Sequence, residues 1–266
     1  MFRPLKKLLT VCAALTCTAL VGFSQEEIVG NDAPQNFGWK SPDANDTAFR
    51  FIALDGKSRA FYVNKGAFFA PIEISGRNIG RLYSIPSSGD LVLYTRKEIP
   101  NGPKGKALYV AVEKINLKNS KDWIIAIYNA GNDIRTNTLD YSLDNMPLGS
   151  FTMLNANPKT MGFQVNKASV KLGFFTPKIY KASTDPKRII TNTVNAFDLS
   201  GAKPEFIASS SYSYWTDQRL LVIFFEAAKA EKSMGIPSTD PPASGRIPDS
   251  ASGNAPTLVQ TSRGPR

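Results

Sequence analysis

The sequence has 266 residues, a formal net charge of +10, two cysteines and no histidine. The lack of histidine excludes Ser–His–Asp and Cys–His catalysis and the zinc sites that need an imidazole ligand. Hydrophobic residues make up 42% of the chain and charged residues 20%, which provides enough apolar material for one or two packed domains.

Residues 1–24 have the pattern of a secretory signal peptide. An apolar run over residues 8–23 follows the basic residues Arg3, Lys6 and Lys7. The triplet Gly-Phe-Ser then places small residues at −3 and −1 of a predicted cleavage site between Ser24 and Gln25. An uncleaved membrane anchor is the alternative, but the run is shorter than the roughly 20 residues that span a bilayer.

Both cysteines, Cys12 and Cys17, lie inside this predicted signal. After cleavage the chain would contain no thiol, so we expect no disulfide and no cysteine-bound metal. Lipid attachment at Cys17 is a further alternative, although Thr16 stands where such motifs have a smaller residue. The sequence predicts an exported protein in the periplasm, on the cell surface or outside the cell.

The charge indicates which partners to expect. The formal net charge of +10 includes three basic residues of the predicted signal, which cleavage would remove. A basic exported protein meets anionic headgroups, acidic glycans or cell-wall polymer rather than nucleic acid. Charge that serves solubility alone is the competing interpretation.

The residues after the signal begin with a predicted extended arm, 25–47, which contains several Pro, Gly and Asn residues. Short apolar or alternating runs follow at about ten-residue spacing, a pattern that indicates a β-sandwich or barrel. The run 123–128 is apolar throughout, as in a strand buried on both faces. The predicted strands of this half are residues 49–54, 59–64, 68–74, 80–85, 90–95, 107–115 and 123–128.

The pattern then occurs a second time. Residues 49–67 align with 151–169 at an offset of 102 with six identities in nineteen positions, and Phe-Tyr-Val-Asn-Lys corresponds to Phe-Gln-Val-Asn-Lys. At an offset of 96, residues 124–128 align with 220–224. We therefore predict an internal duplication, with two small tandem antiparallel β-sandwich domains of Ig-like or similar type. The predicted organisation is a signal peptide (1–24), an arm (25–47), domain 1 (48–130), a linker (131–149), domain 2 (150–228) and a disordered Pro/Ser/Gly-rich tail (229–266).

Carboxylate pairs are the only catalytic groups that suit glycan hydrolysis here. No sequence feature distinguishes these pairs from acidic side chains that are simply exposed to solvent. We therefore predict no catalytic residue, cofactor or metal. The pairs are Asp43/Asp46, Asp140/Asp144 and Glu113/Asp122.

Aromatic residues, 11% of the chain, are the better candidates for binding. Strand alternation predicts Phe206, Tyr212 and Tyr214 on the core face, with Trp215 at the following turn. We take Trp39, Tyr83 and Trp215 as candidate ligand-binding residues, because exposed rings can stack on sugars. Packing in the core or at a sheet edge is the alternative role for each.

The layout resembles a loose group of exported bacterial proteins without assigned activity, which combine a signal peptide, two tandem β-domains and a polar tail. The segments that carry the resemblance are residues 49–54, 149–155, 123–128 and 220–225. The resemblance implies no catalytic residue. The sequence thus predicts a non-enzymatic envelope or extracellular module that binds a glycan or another envelope protein, with no membrane-spanning segment after signal cleavage. A carboxylate-dependent glycan hydrolase is the alternative.

Overall fold

The computed structural model describes residues 26–86, 89–181 and 188–225, and the backbone of residues 257–263. These residues form seventeen β-strands and no helix, so the fold is all-β. In the part of the chain described, no helix has the length and apolar character needed to cross a membrane. The predicted signal peptide and most of the predicted tail lie outside the described residues.

The first half of the chain forms two sheets. The spatial order in sheet 1 is β1 (Glu27–Asn31), β7 (Lys106–Asn116), β6 (Asp90–Lys97), β3 (Arg59–Asn64) and β4 (Phe69–Ile74). The order in sheet 2 is β5 (Tyr83–Pro86), β2 (Asp46–Ala53), β8 (Asp122–Ala130) and β9 (Asp133–Asp140).

The second half also forms two sheets. The order in sheet 3 is β13 (Pro177–Tyr180), β10 (Phe151–Asn155), β16 (Gln218–Phe224) and β17 (Thr257–Arg263). The order in sheet 4 is β12 (Ala168–Leu172), β11 (Met161–Val165), β14 (Ile189–Asp198) and β15 (Glu205–Trp215).

The strand orders of the two halves correspond. Sheet 2 has the order β5-β2-β8-β9 and sheet 3 the order β13-β10-β16-β17, so each strand has a counterpart eight strands later. Sheet 4 repeats β4-β3-β6-β7 of sheet 1 in the same way, and β1 has no counterpart among the described strands.

The expectation of purely antiparallel sheets is wrong for sheets 2 and 3. Strand β2 pairs with β8 in parallel, and β10 pairs with β16 in parallel. Both sheets are therefore mixed. Alternation of apolar residues could not show this, because it reports which face is buried and not the direction of the neighbouring strand.

Three strands occur where the sequence analysis expected none. The predicted arm contains β1, the predicted linker contains β9, and the predicted tail contains β17, which pairs with β16 along seven residues. All three are edge strands of their sheets. Edge strands have weaker sequence signals because only one side of their backbone must pair.

Three apolar clusters lie between the four sheets in succession. Phe61 of sheet 1 packs with Phe51 of sheet 2, and Phe163 of sheet 4 packs with Val222 of sheet 3. A further cluster joins sheets 2 and 3, with Ile124 of β8 as one of its members. The sheets are thus layered 1-2-3-4, and the two halves share an apolar interface.

This layering explains the two continuous apolar runs. Ile125 and Ile127 of β8 face the cluster shared with sheet 1, whereas Ile124 and Ala126 face the cluster shared with sheet 3. The residues of β16 divide between two clusters in the same alternating way. Each of these strands is internal to its sheet and buried on both faces along its apolar run, which explains why the run has no polar position.

The first β-strand closes sheet 1 on itself. Strand β1 pairs with β7, and Asp32 just after it bridges to Phe69 on the opposite edge strand β4. The enclosed face is aromatic, with the Phe69 and Tyr109 rings stacked at 3.8 Å between centroids. A Cβ at Gly30 would overlap the Phe69 ring, so this close approach requires glycine.

Candidate functional site

The outer face of strands β14 and β15 is a polar surface with apolar ends, which we call the platform. Five cross-strand pairs build it. They are Ile189–Trp215, Thr191–Ser213, Thr193–Ser211, Asn195–Ser209 and Phe197–Phe206. The two side chains of each pair lie on the outer face of the sheet. The residues between them along each strand face the core, because successive side chains of a strand alternate between faces.

The centre of the platform is a ladder of hydroxyl and amide groups. Thr191 Oγ1 and Ser213 Oγ lie 2.8 Å apart, and Thr193 Oγ1 and Ser211 Oγ lie 3.1 Å apart. Beyond them, Asn195 Nδ2 donates to Gln164 Oε1 of β11 at 3.2 Å. These cross-strand bonds orient the groups, and none of the groups is charged.

Large apolar side chains stand at both ends of this ladder. Trp215 is 43% exposed beside Ile189, and Phe206 is 58% exposed with its ring edge-on to Phe197 at 5.9 Å. Phe206 and Trp215 are nine positions apart along β15, which corresponds to roughly 30 Å in an extended strand.

The exposure of Phe206 corrects the sequence analysis, which placed this ring on the core face with Tyr212 and Tyr214. The pairing of β14 with β15 shifts between Ala196 and Phe197, so that Ala196 faces Ala208 and Phe197 faces Phe206. This bulge adds one residue to β15 and turns Phe206 to the outer face. Tyr214 stays in the core, only 3% exposed.

The core side of β15 holds the platform firmly. The Tyr214 hydroxyl donates to Gly149 O at 3.2 Å, and the Tyr212 ring stacks on Phe151. Burial raises the pKa of the Tyr214 hydroxyl, which therefore remains a neutral donor at physiological pH. At the turn after β15, Trp215 N donates to Gln218 Oε1 at 3.1 Å.

The three candidate binding residues from the sequence do not form one site. Trp39 and Tyr83 touch, with ring centroids 5.0 Å apart, but Trp215 belongs to sheet 4. Tyr83 is 1% exposed, and its hydroxyl bonds to the backbone N and O of Glu73. Tyr83 is thus a core residue in this structure, while Trp215 is accessible.

Trp39 fixes the chain before β2 to sheet 1. Its Nε1 donates to Pro71 O at 2.7 Å, and the Lys65 ammonium lies 4.5 Å from the centre of its ring. Burial lowers the pKa of Lys65, whose Nζ also donates to Ser84 O at 3.0 Å. These contacts give Trp39 a packing role.

A second concave region lies where the two halves meet. It is an open cleft of about 1080 Å³ whose lining includes Asp122, Asp140 and Asp144. Arg50 and Arg219 both form ion pairs with Asp122, at 2.6 and 3.4 Å. Burial raises the pKa of the Asp122 carboxyl, and the two guanidinium groups oppose that shift.

Asp140 in the same cleft has the opposite pKa shift. Hydrogen bonds from Ser120, Ser142 and Asn145 lower the pKa of its carboxyl, against the effect of burial. Both carboxylates therefore have internal partners that hold local structure. Three further acidic candidates also have partners, since Asp43 and Asp46 close a turn and Glu113 accepts a hydrogen bond from Thr136 at 2.8 Å.

Comparison of the chain with protein-family models and with curated proteins finds no match.

Proposed function

We propose that the chain is an exported, non-enzymatic module that binds glycan on the platform of β14 and β15. The observation that carries this proposal is the row of five cross-strand pairs, with oriented hydroxyls at its centre and exposed aromatic rings at its ends. Hydroxyl and amide groups match the alternating donors and acceptors of a sugar chain, and the two rings provide faces for stacking.

The platform chemistry favours a neutral polysaccharide. Its central groups carry no charge, so ion pairing would contribute little to recognition there. The length of roughly 30 Å between the two aromatic ends suits an extended polymer better than a single sugar. An acidic glycan would be attracted by the basic net charge of the chain, but that attraction would not be specific to the platform.

A binding assay with insoluble neutral polysaccharide tests the proposal. We expect Trp215→Ala and Phe206→Ala each to lower the bound fraction severalfold, because each removes one stacking surface. Val29→Ala is the matched control, since Val29 is also an exposed apolar residue, 61% exposed, but belongs to sheet 1. Equal binding by all the variants would refute the platform as the binding site.

The alternative is glycan hydrolysis in the cleft, and one observation favours it. Asp122 and Asp140 line one cleft and have pKa shifts in opposite directions, as a general acid and its partner carboxylate need. However, Arg50 and Arg219 both pair with Asp122 and oppose the rise of its pKa, which disfavours the protonated form that a general acid needs. Release of reducing ends that is lost in both Asp122→Asn and Asp140→Asn, but kept in Trp215→Ala, would establish the hydrolase and overturn our assignment.

We also propose that the two halves arose by duplication of one Ig-like β-sandwich domain. The corresponding strand orders and the alignment of Phe61 with Phe163 support this origin. Phe61 and Phe163 are 2% and 1% exposed and occupy equivalent strands, β3 and β11. In this view the platform is a property of the second copy, because β1 closes the corresponding sheet of the first.

A further inference from the structure

Strand β15 is an edge strand of unusual length for this molecule. It has eleven residues, and among the described strands none pairs with its outer side. Its counterpart β7 in sheet 1 pairs with β1 in the corresponding outer position. Sheet 4 therefore presents a row of backbone N–H and C=O groups that can accept another strand.

This edge also lacks the features that normally prevent such pairing. From Phe206 to Trp215 there is no charged residue and no proline. Other edge strands are shorter and carry such a residue. Examples are Pro71 in β4, Pro86 in β5, Lys171 in β12 and Pro177 in β13. Proline and lysine at sheet edges oppose strand addition, and β15 has neither.

We propose that β15 pairs antiparallel with β15 of a second copy of this chain, so that two copies of sheet 4 form one continuous eight-stranded sheet. The occupant is a second copy because the strand is complementary to itself when antiparallel. With Ser211 facing Ser211 of the second copy, Ser209 faces Ser213 and continues the hydroxyl ladder. On the core face, small Ser210 and Ala208 then face large Tyr212 and Tyr214.

The charge on β15 also selects the antiparallel arrangement. Glu205, its first residue, is the only charged residue of the strand. Parallel pairing in register would place the two Glu205 side chains together, at a cost in repulsion. Antiparallel pairing about Ser211 separates them by about 40 Å along the strand and leaves both platforms on the same side of the joined sheet.

The mass in solution of the chain purified after export tests the proposal. We expect a dimer for the wild type and a monomer for Ser211→Lys, because two lysines would meet at the symmetry axis. Ser169→Lys is the matched control and should remain dimeric, since Ser169 is an exposed serine on β12, the opposite edge of sheet 4. Mixing Ser211→Lys with Ser211→Glu chains should restore the dimer.

Cross-linking gives a second readout that does not require a folded lysine variant. In a background with Cys12→Ser and Cys17→Ser, we expect Ser211→Cys to form a disulfide-linked dimer on oxidation and Ser169→Cys to remain monomeric. A monomeric wild type would overturn the proposal and would fit a segment of the same chain as the occupant. A dimer that persists in Ser211→Lys and does not cross-link through Ser211→Cys would place the interface elsewhere. Neither result depends on whether the platform binds glycan.

Discussion

The guanidinium of Arg219 lies 3.8 Å from the centre of the Tyr141 ring, although the two residues belong to different halves of the chain. Arg219 is 8% exposed, donates to the backbone oxygens of Tyr141 and Met146, and forms an ion pair with Asp122. One side chain thus connects β16 with the first residue of β8 and with the segment that follows β9. This contact ties the two halves together beside their shared apolar interface.

We expect Arg219→Ala to destabilise the protein by about 3 kcal/mol, because it leaves two carbonyl groups and the half-buried Asp122 carboxylate without this donor. Denaturant unfolding followed by tryptophan fluorescence measures the change. Arg135→Ala is the control, since its ion pair with Asp133 is exposed and should contribute less than about 1 kcal/mol. Similar losses in the two variants would contradict a special role for Arg219.

Acidification should loosen β1 from sheet 1. Hydrogen bonding from Arg96, and also from Tyr109, holds the pKa of the Asp32 carboxyl below its ordinary value, although burial opposes this shift. The contribution of Asp32 to stability is therefore complete above the unfolded-state pKa of about 4, and it is lost as pH falls through the lower folded-state pKa. The protection of the β1 amides, measured relative to their intrinsic exchange rate at each pH, should fall in acid.

The Asp32→Asn variant checks this assignment. We expect its β1 amides to be weakly protected already at neutral pH and their protection to change little with acidification. Glu98→Gln is the control, because Glu98 also pairs with Arg96 but is largely exposed. An acid response in Asp32→Asn as large as in the wild type would assign the effect to another group.

Truncation of the two equivalent core rings should have similar effects. Phe61→Ala and Phe163→Ala should each cost about 3–5 kcal/mol, as expected for a fully buried phenylalanine. Phe206→Ala should change the unfolding free energy by less than about 0.5 kcal/mol, because Phe206 is exposed. Urea unfolding of the three variants measures these differences, and a large loss in Phe206→Ala would show that this ring is packed.

Removal of residues 257–266 should destabilise sheet 3. Strand β17 pairs with all seven residues of β16, so its loss would leave the apolar run 220–224 at the edge of the sheet. We expect a melting temperature lower by several degrees and increased aggregation. An unchanged melting temperature would support the sequence-based expectation that residues 229–266 form a tail without a structural role.

Export should remove the first 24 residues. The basic residues, apolar run and Gly-Phe-Ser triplet predict cleavage between Ser24 and Gln25. Intact-mass measurement of the exported protein should match a chain that begins at Gln25. A mass that includes residues 1–24 would instead indicate a retained anchor.

The sequence alone was sufficient to predict the strands in which apolar and polar residues alternate and the strands that are apolar throughout. The predicted runs 59–64 and 123–128 correspond closely to β3 and β8, because burial of one or both faces imposes a residue pattern that can be read locally. The repeat in the sequence also aligns Phe61 with Phe163, and both rings are buried in the structure.

Only the tertiary structure decided the edges, the bulge and the contacts between the halves. Strands β1, β9 and β17 form where a neighbouring strand offers its backbone, and their own side chains specify little. Phe206 faces outward because one extra residue at the bulge reverses the alternation, which no count along the sequence could locate. Arg219 meets Asp122 across 97 residues, and such a pair depends on how two apolar faces pack together, which the local pattern of neither segment contains.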